Sequence, residues 1–206
     1  MSHNKIIASA SKAELATLGF KRQGQSRLWL KDHGFWLNVV QFTPSRWSVS
    51  VDLNNSAHWL WGGNGFMSLN YSSGARSPHV EFKDEEQFRR DCRELARLAA
   101  AEAMKIDENF PSFEAIAQYV IGEAEGSERG RSSWFGYYAG VAAGIVGNLD
   151  KAEQFLRGIT DTRVTGRAER FLAAINSAHG FREKANEILQ QQRIALKLPA
   201  LEKGPF

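Results

Sequence analysis

Hydrophobic positions recur with more than one rhythm along this chain. Between residues 5 and 18, Ile6, Ala10, Ala13, Leu15 and Leu18 fall on one side of a helix, and Gly19 stands where a helix would stop. From Gly19 to Phe82 the period drops to two. Its clearest stretch is Trp47-Ser48-Val49-Ser50-Val51-Asp52-Leu53, apolar at every odd position and polar at every even one, which predicts a half-buried antiparallel strand. Arg27–Lys31 and Phe35–Phe42 flank Asp32-His33-Gly34, a hairpin connection with a glycine for positive φ, and Pro44-Ser45-Arg46 supplies the next turn. His58–Trp61 reads as an extension of the sheet and His79–Lys83 as its last strand, with loop-rich chain over 62–78.

Past Asp84 the period returns to that of a helix. Phe88, Cys92, Leu95, Ala99, Ala103 and Ile106 are spaced by four, three, four, four and three, one buried stripe. Asp84 and Gln87 suit a capping box at its start, and Pro111-Ser112 separates it from a second helix at Phe113–Glu123. Residues 125–133, rich in Gly, Ser and charge, read as a linker.

The last third nearly repeats itself. Gly147-Asn148-Leu149-Asp150-Lys151-Ala152-Glu153-Gln154-Phe155-Leu156 returns 33 residues later as Gly180-Phe181-Arg182-Glu183-Lys184-Ala185-Asn186-Glu187-Ile188-Leu189. Tyr138 and Phe171 share that offset, as do Ala142 and Ile175. A period in the low thirties is that of stacked helical hairpins. It predicts one hairpin of Trp134–Val146 and Leu149–Ile159, and a second of Ala168–Ala178 and Phe181–Leu196 with Gly180 at the turn. The expected fold is therefore α+β: an antiparallel sheet packed with helices over 1–110, then an all-α, repeat-like region over 111–206.

Two resemblances follow from these residues. With Ala152 at the central small position, Gly140 at the small residue of the first helix and Leu156 at the large apolar one, the hairpins resemble a degenerate tetratricopeptide repeat. Ala143 stands where that repeat usually has Tyr, and no Pro closes the first unit. Leu18-Gly19-Phe20-Lys21-Arg22-Gln23-Gly24, Asn38-Val39-Val40-Gln41-Phe42 and the strand Ser48–Leu53 resemble the bacterial domain of unknown function 4304 over about residues 5–105. That family implies an α+β fold and brings no catalytic residue. Small bacterial conflict-system proteins, such as toxin-neutralising immunity proteins, are a looser likeness.

Charge narrows the function classes. The 206 residues carry a net charge of +3, with 14 Lys/Arg against 12 Asp/Glu in 1–110 and 12 against 11 in 111–206, so neither part is a strongly basic nucleic-acid module. The single cysteine, Cys92, excludes an intramolecular disulfide and a multi-cysteine zinc site. The N-terminal residues lack the apolar run of a signal peptide, and no stretch reaches the length of a membrane span; a cytoplasmic location is expected.

Candidate chemistry is sparse. Aromatic rings crowd the sheet region, among them Trp29, Phe35, Trp36, Phe42, Trp47, Trp59, Trp61, Phe66 and Tyr71, either filling a two-sided core or forming a binding surface. Trp36, Trp47, His58, Trp59, Trp61 and Arg22 are the candidate binding residues. Lys21, Arg22, Arg27, Lys31 and Arg46 interleave with Trp29, Trp36 and Trp47, a pattern that can grip single-stranded nucleic acid. Arg89, Arg93 and Arg97 read as a solvated face paired with Glu85, Glu86 and Glu94. No histidine among His3, His33, His58, His79 and His179 has metal-ligand spacing, so neither metal nor cofactor is expected. Cys92 lies on an apolar stripe, Gly62-Gly63-Asn64-Gly65 lacks the Lys-Ser/Thr of a phosphate cradle and reads as a flexible loop, and Asp84, Glu85 and Glu86 complement a helix dipole. No catalytic residue is assigned.

These features point to a non-enzymatic protein-binding module of bacterial type, of which an immunity or antitoxin protein is one form, with a protein partner and no membrane. The alternatives are an enzyme or small-ligand protein using a pocket between sheet and helices near His58, Trp59 and Trp61, and a single-stranded nucleic-acid binder.

Overall fold

A computed structural model describes residues 3–45, 49–73 and 78–206, the side chain of Arg129 excepted. The chain is α+β and divides into two compact units: Met1–Trp59 with Ser68–Asn109, and Leu60–Met67 with Phe110–Phe206. The division is not a single cut, because eight residues after the fourth strand belong with the helices.

The sheet unit begins with α1 (His3–Leu15), which passes through a 3₁₀ turn at Ala16–Leu18 to Gly19. Gly19, at φ +86°, closes the end: its N–H bonds Ala16 O and that of Phe20 bonds Leu15 O. The strands are β1 (Lys21–Arg22), β2 (Leu28–Asp32), β3 (Trp36–Pro44), β4 (Ser50–Trp59), β5 (Tyr71–Ser72) and β6 (His79–Glu81). β1 to β4 form an antiparallel meander in chain order, and β5 and β6 pair with different parts of the free edge of β4. The expected hairpin at Asp32-His33-Gly34 is present: His33 N–H donates to Trp36 O at 3.0 Å and Gly34 N–H to Asp32 Oδ1 at 2.9 Å.

Period-two geometry sends Trp29, Val40, Phe42, Val51 and Leu53 to one face, where they form a core with Ile6, Ile7 and Leu15 of α1 and the stripe of α2 (Glu85–Asn109). Phe88, Cys92, Leu95, Ala99, Ala103 and Ile106 are all buried, as their spacing predicts. At the start of α2 Gln87 N–H bonds Asp84 Oδ1, while the Gln87 side-chain oxygen accepts from Lys83 N–H, one residue before the cap. Leu37, Val39, Ser56 and His58, alternate positions on the opposite face, are buried too, whereas Gln41, Thr43, Asp52 and Asn54, further along the same face, are half-buried or exposed.

Two expectations change here. The sheet does not continue through His58–Trp61: β4 stops at Trp59, and Leu60–Gly62 is a 3₁₀ turn belonging to the helical unit. The strand expected over 47–53 begins at Ser50 in the structure; Arg46, Trp47 and Ser48 lie outside the described residues.

The helical unit contains α3 (Phe113–Glu125), α4 (Glu128–Arg131), α5 (Trp134–Ile145), α6 (Leu149–Arg157), α7 (Thr165–Leu172) and α8 (Ala178–Ala195). α5 is its centre and is buried from Gly136 to Ile145, packing against α3, α6 and α8. Small residues make this possible: a Cβ on Gly140 would lie 2.8 Å from Leu156 and one on Gly144 2.3 Å from Phe181. The stretch read as a linker is part of this packing, since Arg131 donates to Ala124 O and Glu125 O, and Ser132 O accepts from Thr160 and Asp161 N–H.

The 33-residue offset holds for buried positions of α6 and α8: Ala152 and Ala185, Phe155 and Ile188, Leu156 and Leu189 are buried pairwise. It fails at the turns. Gly147 ends α5 at φ +92°, whereas Gly180 sits inside the first turn of α8, its N–H bonded to the Ser177 hydroxyl. Ser177 captures the helix start three residues ahead of Gly180, and α7 correspondingly ends at Leu172 rather than running to Ala178.

Candidate functional site

α8 carries a row of amide and guanidinium groups that bond non-helical main chain. Phe181, Ala185 and Ile188 form its buried stripe, and the next position at that spacing is Gln192, only 1% exposed. A buried amide requires partners. The Gln192 oxygen accepts from Gly65 N–H at 2.6 Å and its NH₂ donates to Phe66 O at 3.1 Å.

The segment so held, Leu60–Met67, is gripped along most of its length. Tyr137 O–H donates to Gly62 O at 3.2 Å, Arg167 bonds Gly63 O, and Asn64 donates to the Tyr138 hydroxyl at 2.8 Å. Burial raises the Tyr137 phenol well above its ordinary value, so it stays a donor. Trp61, fully buried, packs edge-on to Phe113 and Tyr138 with centroids 5.7 and 5.4 Å away. The glycines are steric necessities: a Cβ on Gly62 would lie 2.5 Å from the Tyr138 ring, and Gly63, at φ +62°, would meet Ile188 at the same distance. The Gly-Gly-Asn-Gly run is thus a held segment rather than a free loop.

A second segment returns along α8 from its far end. Lys197, at φ +56°, reverses the chain through the bonds Leu198 N–H to Arg193 O and Lys197 N–H to Ile194 O. Arg193, buried, then donates to Pro199 O through Nε and Nη2 at 2.9 and 2.7 Å. Gln190 donates to Leu201 O at 3.4 Å. Asn186 takes both main-chain groups of Phe206, donating to its O at 3.0 Å and accepting from its N–H at 3.3 Å. The Phe206 ring meets Phe113 edge-on at 4.7 Å, so Phe113 touches an aromatic ring from each held segment. Side-chain amides that pair with both a main-chain donor and an acceptor recognise polypeptide as such, with little regard to its side chains.

Comparison with protein-family models, with curated proteins and with solved structures finds no match to this chain. The site therefore rests on its own geometry.

The sheet unit also holds a polar cluster around Asp107. Asp107 of α2 receives Lys31 Nζ at 2.7 Å, His33 Nε2 at 2.9 Å and Asn38 Nδ2 at 2.8 Å, and the His33 ring lies parallel to Trp36 at 4.2 Å. Burial alone would raise the Asp107 carboxyl, but the hydrogen bonds from His33, Lys31 and Asn38 outweigh it and hold the group at about 2. The arrangement orients an imidazole on a permanent carboxylate. Cys92 adds no nucleophile: burial, then the charge of Asp91, pushes its thiol up to about 11. Among the described residues no cluster of three metal-capable side chains occurs.

The residues singled out from the sequence are placed as follows. Trp36, His58 and Trp59 are buried in the sheet unit and Trp61 in the helical unit, each at most 1% exposed, so these rings are core rather than an open surface. The buried rings Trp29 and Trp36 are likewise closed to base stacking. Burial is the main cause that pushes His58 down to about 4, against its hydrogen bonds to Ser68 and Asn70, so it is a neutral imidazole at pH 7. Arg22 folds back onto its own turn, bonding Ser26 O and Gln25 O. Trp47 lies outside the described residues. Sequence reasoning missed Asn186, Gln190, Gln192 and Arg193; Gln192 alone left a signal, an amide on an apolar stripe.

Proposed function

We propose that this chain is a non-enzymatic protein-binding module whose helical unit takes hold of polypeptide main chain along α8. One observation carries the reading: Asn186 and Gln192 each engage a main-chain N–H and a main-chain O in a non-helical segment. The degenerate tetratricopeptide resemblance supports it, since helical hairpin stacks serve as scaffolds for binding. An immunity or antitoxin protein would be one member of this class, identified by nanomolar binding to a co-encoded toxin.

The test is selection of a random dodecapeptide library on the intact chain, followed by calorimetry. Enriched peptides that bind with micromolar or better affinity, and at least tenfold more weakly to the Asn186→Ala variant, support the reading. Binding indifferent to that substitution overturns it, as does an absence of enrichment that persists once residues 199–206 are displaced from α8.

An enzymatic reading draws on the His33–Asp107 pair, which has the form of an oriented general base. Its test is turnover across a panel of hydrolase substrates, abolished by His33→Ala. Asp107 is equally explained as the anchor of Lys31 and Asn38, which is why the main-chain clamp is preferred.

A further inference from the structure

Residues 199–206 retrace α8 backwards, meeting Arg193, then Gln190, then Asn186. Nearly all they offer in hydrogen bonding is main chain: Pro199 O, Leu201 O, and the N–H and O of Phe206. Two demands fall on side chains. A Cβ at position 204 would lie 2.3 Å from the Asn186 carboxamide carbon and 2.5 Å from its nitrogen and oxygen, so Asn186 would have to leave its place on Phe206 to admit one. Position 206 presents a ring to Phe113. The other held segment shares only the main-chain part of this pattern: Gln192 takes Gly65 N–H and Phe66 O, which are neighbours, and the Phe66 ring is exposed. The spacing of glycine and ring is therefore read from residues 204 and 206 alone.

The two clamps differ in depth. Gln192 is buried and Asn186 half-buried, while the residues they hold, Gly65 and Phe66 on one side and 202–205 on the other, are exposed; the first segment is anchored besides by the buried Trp61. The outer attachment therefore has few apolar contacts holding it beyond the ring of Phe206, and a competitor offering the same groups could replace it.

Resting on the main-chain clamp proposed above, we infer that the Asn186–Arg193 face of α8 is a groove for a partner segment with glycine two residues ahead of an aromatic residue. In this chain residues 199–206 fill that groove as a built-in competitor. A partner segment binds by displacing them: Asn186 takes the main chain of its aromatic residue, Phe113 takes the ring, and the glycine passes beneath the Asn186 amide. The apparent affinity for the partner is lowered by the fraction of time the groove is self-occupied.

The experiment uses the full chain and the labelled hexapeptide Leu-Glu-Lys-Gly-Pro-Phe, read by fluorescence anisotropy. Gly204→Val places a side chain against Asn186 and should free residues 199–206, seen as faster hydrogen exchange there. That variant should bind the hexapeptide at least tenfold more tightly than the unaltered chain. The gain should vanish when Asn186→Ala is added, or when the peptide's glycine is replaced by valine. Freed residues 199–206 without gain in peptide binding overturn the inference, as does a 199–206 segment that stays protected in Gly204→Val. Hexapeptide binding that splits a dimer of the unaltered chain would assign the groove to a second copy and overturn it as well. If dodecapeptides bind the intact chain but Gly204→Val gains nothing, this inference fails alone; if neither binds, the clamp reading fails with it.

Discussion

In the sheet unit, Asn38 and Asn55 reach from strands to carbonyl oxygens of α2, those of Ala103 and Ala99, each at 2.7 Å. In the helical unit, Asn186 and Gln192 reach from a helix to chain that is neither helix nor strand. The side chains are of one chemical kind, but what they satisfy differs. A carbonyl within α2 already accepts an N–H from the next turn, and the asparagine uses its second lone pair. The main-chain groups of Gly65 and Phe66 have no ladder of their own and rely on Gln192. Amides of the first kind fix the distance between layers already formed; those of the second give irregular chain its conformation. That dependence makes the second kind suited to exchanging one segment for another.

Trp61→Ala should separate the two regions most clearly. Removing a fully buried indole costs about 3–5 kcal/mol, and hydrogen exchange should accelerate in α3, α5 and α8 before it does in β2, β3 and β4. Equal acceleration in both would mean that the chain unfolds as one body. Acid should single out the sheet unit instead. His58 is held at about 4 against an ordinary 6.5, so the unfolded chain binds the extra proton first. Its contribution is complete above pH 6.5 and is lost as pH falls towards 4, about 3 kcal/mol in all. Urea titrations between pH 7 and 4.5 should show this loss, and a flat profile would contradict the burial of that imidazole.

The amides themselves give a smaller contrast. Gln192→Leu removes the partner of Gly65 N–H and Phe66 O, both on exposed residues that water can reach, at about 1 kcal/mol each, and should open the segment 63–66 to proteases. Asn38→Leu should cost less, about 1 kcal/mol, because Ala103 O keeps its helical bond and Asp107 keeps Lys31 and His33. Equal losses in thermal melts would erase the distinction between the two kinds of amide. The smallest expected effect is a gain: Lys197→Gly relieves a left-handed residue and should stabilise by about 1 kcal/mol.

Legibility in the sequence followed regularity. The α2 stripe and the paired burial of Ala152 with Ala185, Phe155 with Ile188 and Leu156 with Leu189 are periodic signals, the turn at Asp32-His33-Gly34 is a local turn signal, and all could be read. Gly180 misled because glycine marks a turn only when nothing nearby caps a helix better, and Ser177 does. The polar groups of α8 were hidden for a different reason. Asn186 and Gln190 are ordinary on a helix surface, and their partners lie 11 to 20 residues onward, beyond a reversal at a lysine that no glycine announces. The anchoring of Leu60–Met67 depends on hydrogen-bonded pairs 74 to 127 residues apart, such as Asn64 with Tyr138 and Gly65 with Gln192, where no local rhythm applies.

That anchoring separates the genetic unit from the physical one. Recombination that moved only the codons from Phe110 onward would transplant helices lacking the indole wedged against Phe113 and Tyr138, and lacking the acceptor of the Tyr137 proton. The donor gene would be left with an orphaned tryptophan. Inheritance of the two halves is tied together by eight codons, and shuffling either one alone yields an incomplete product.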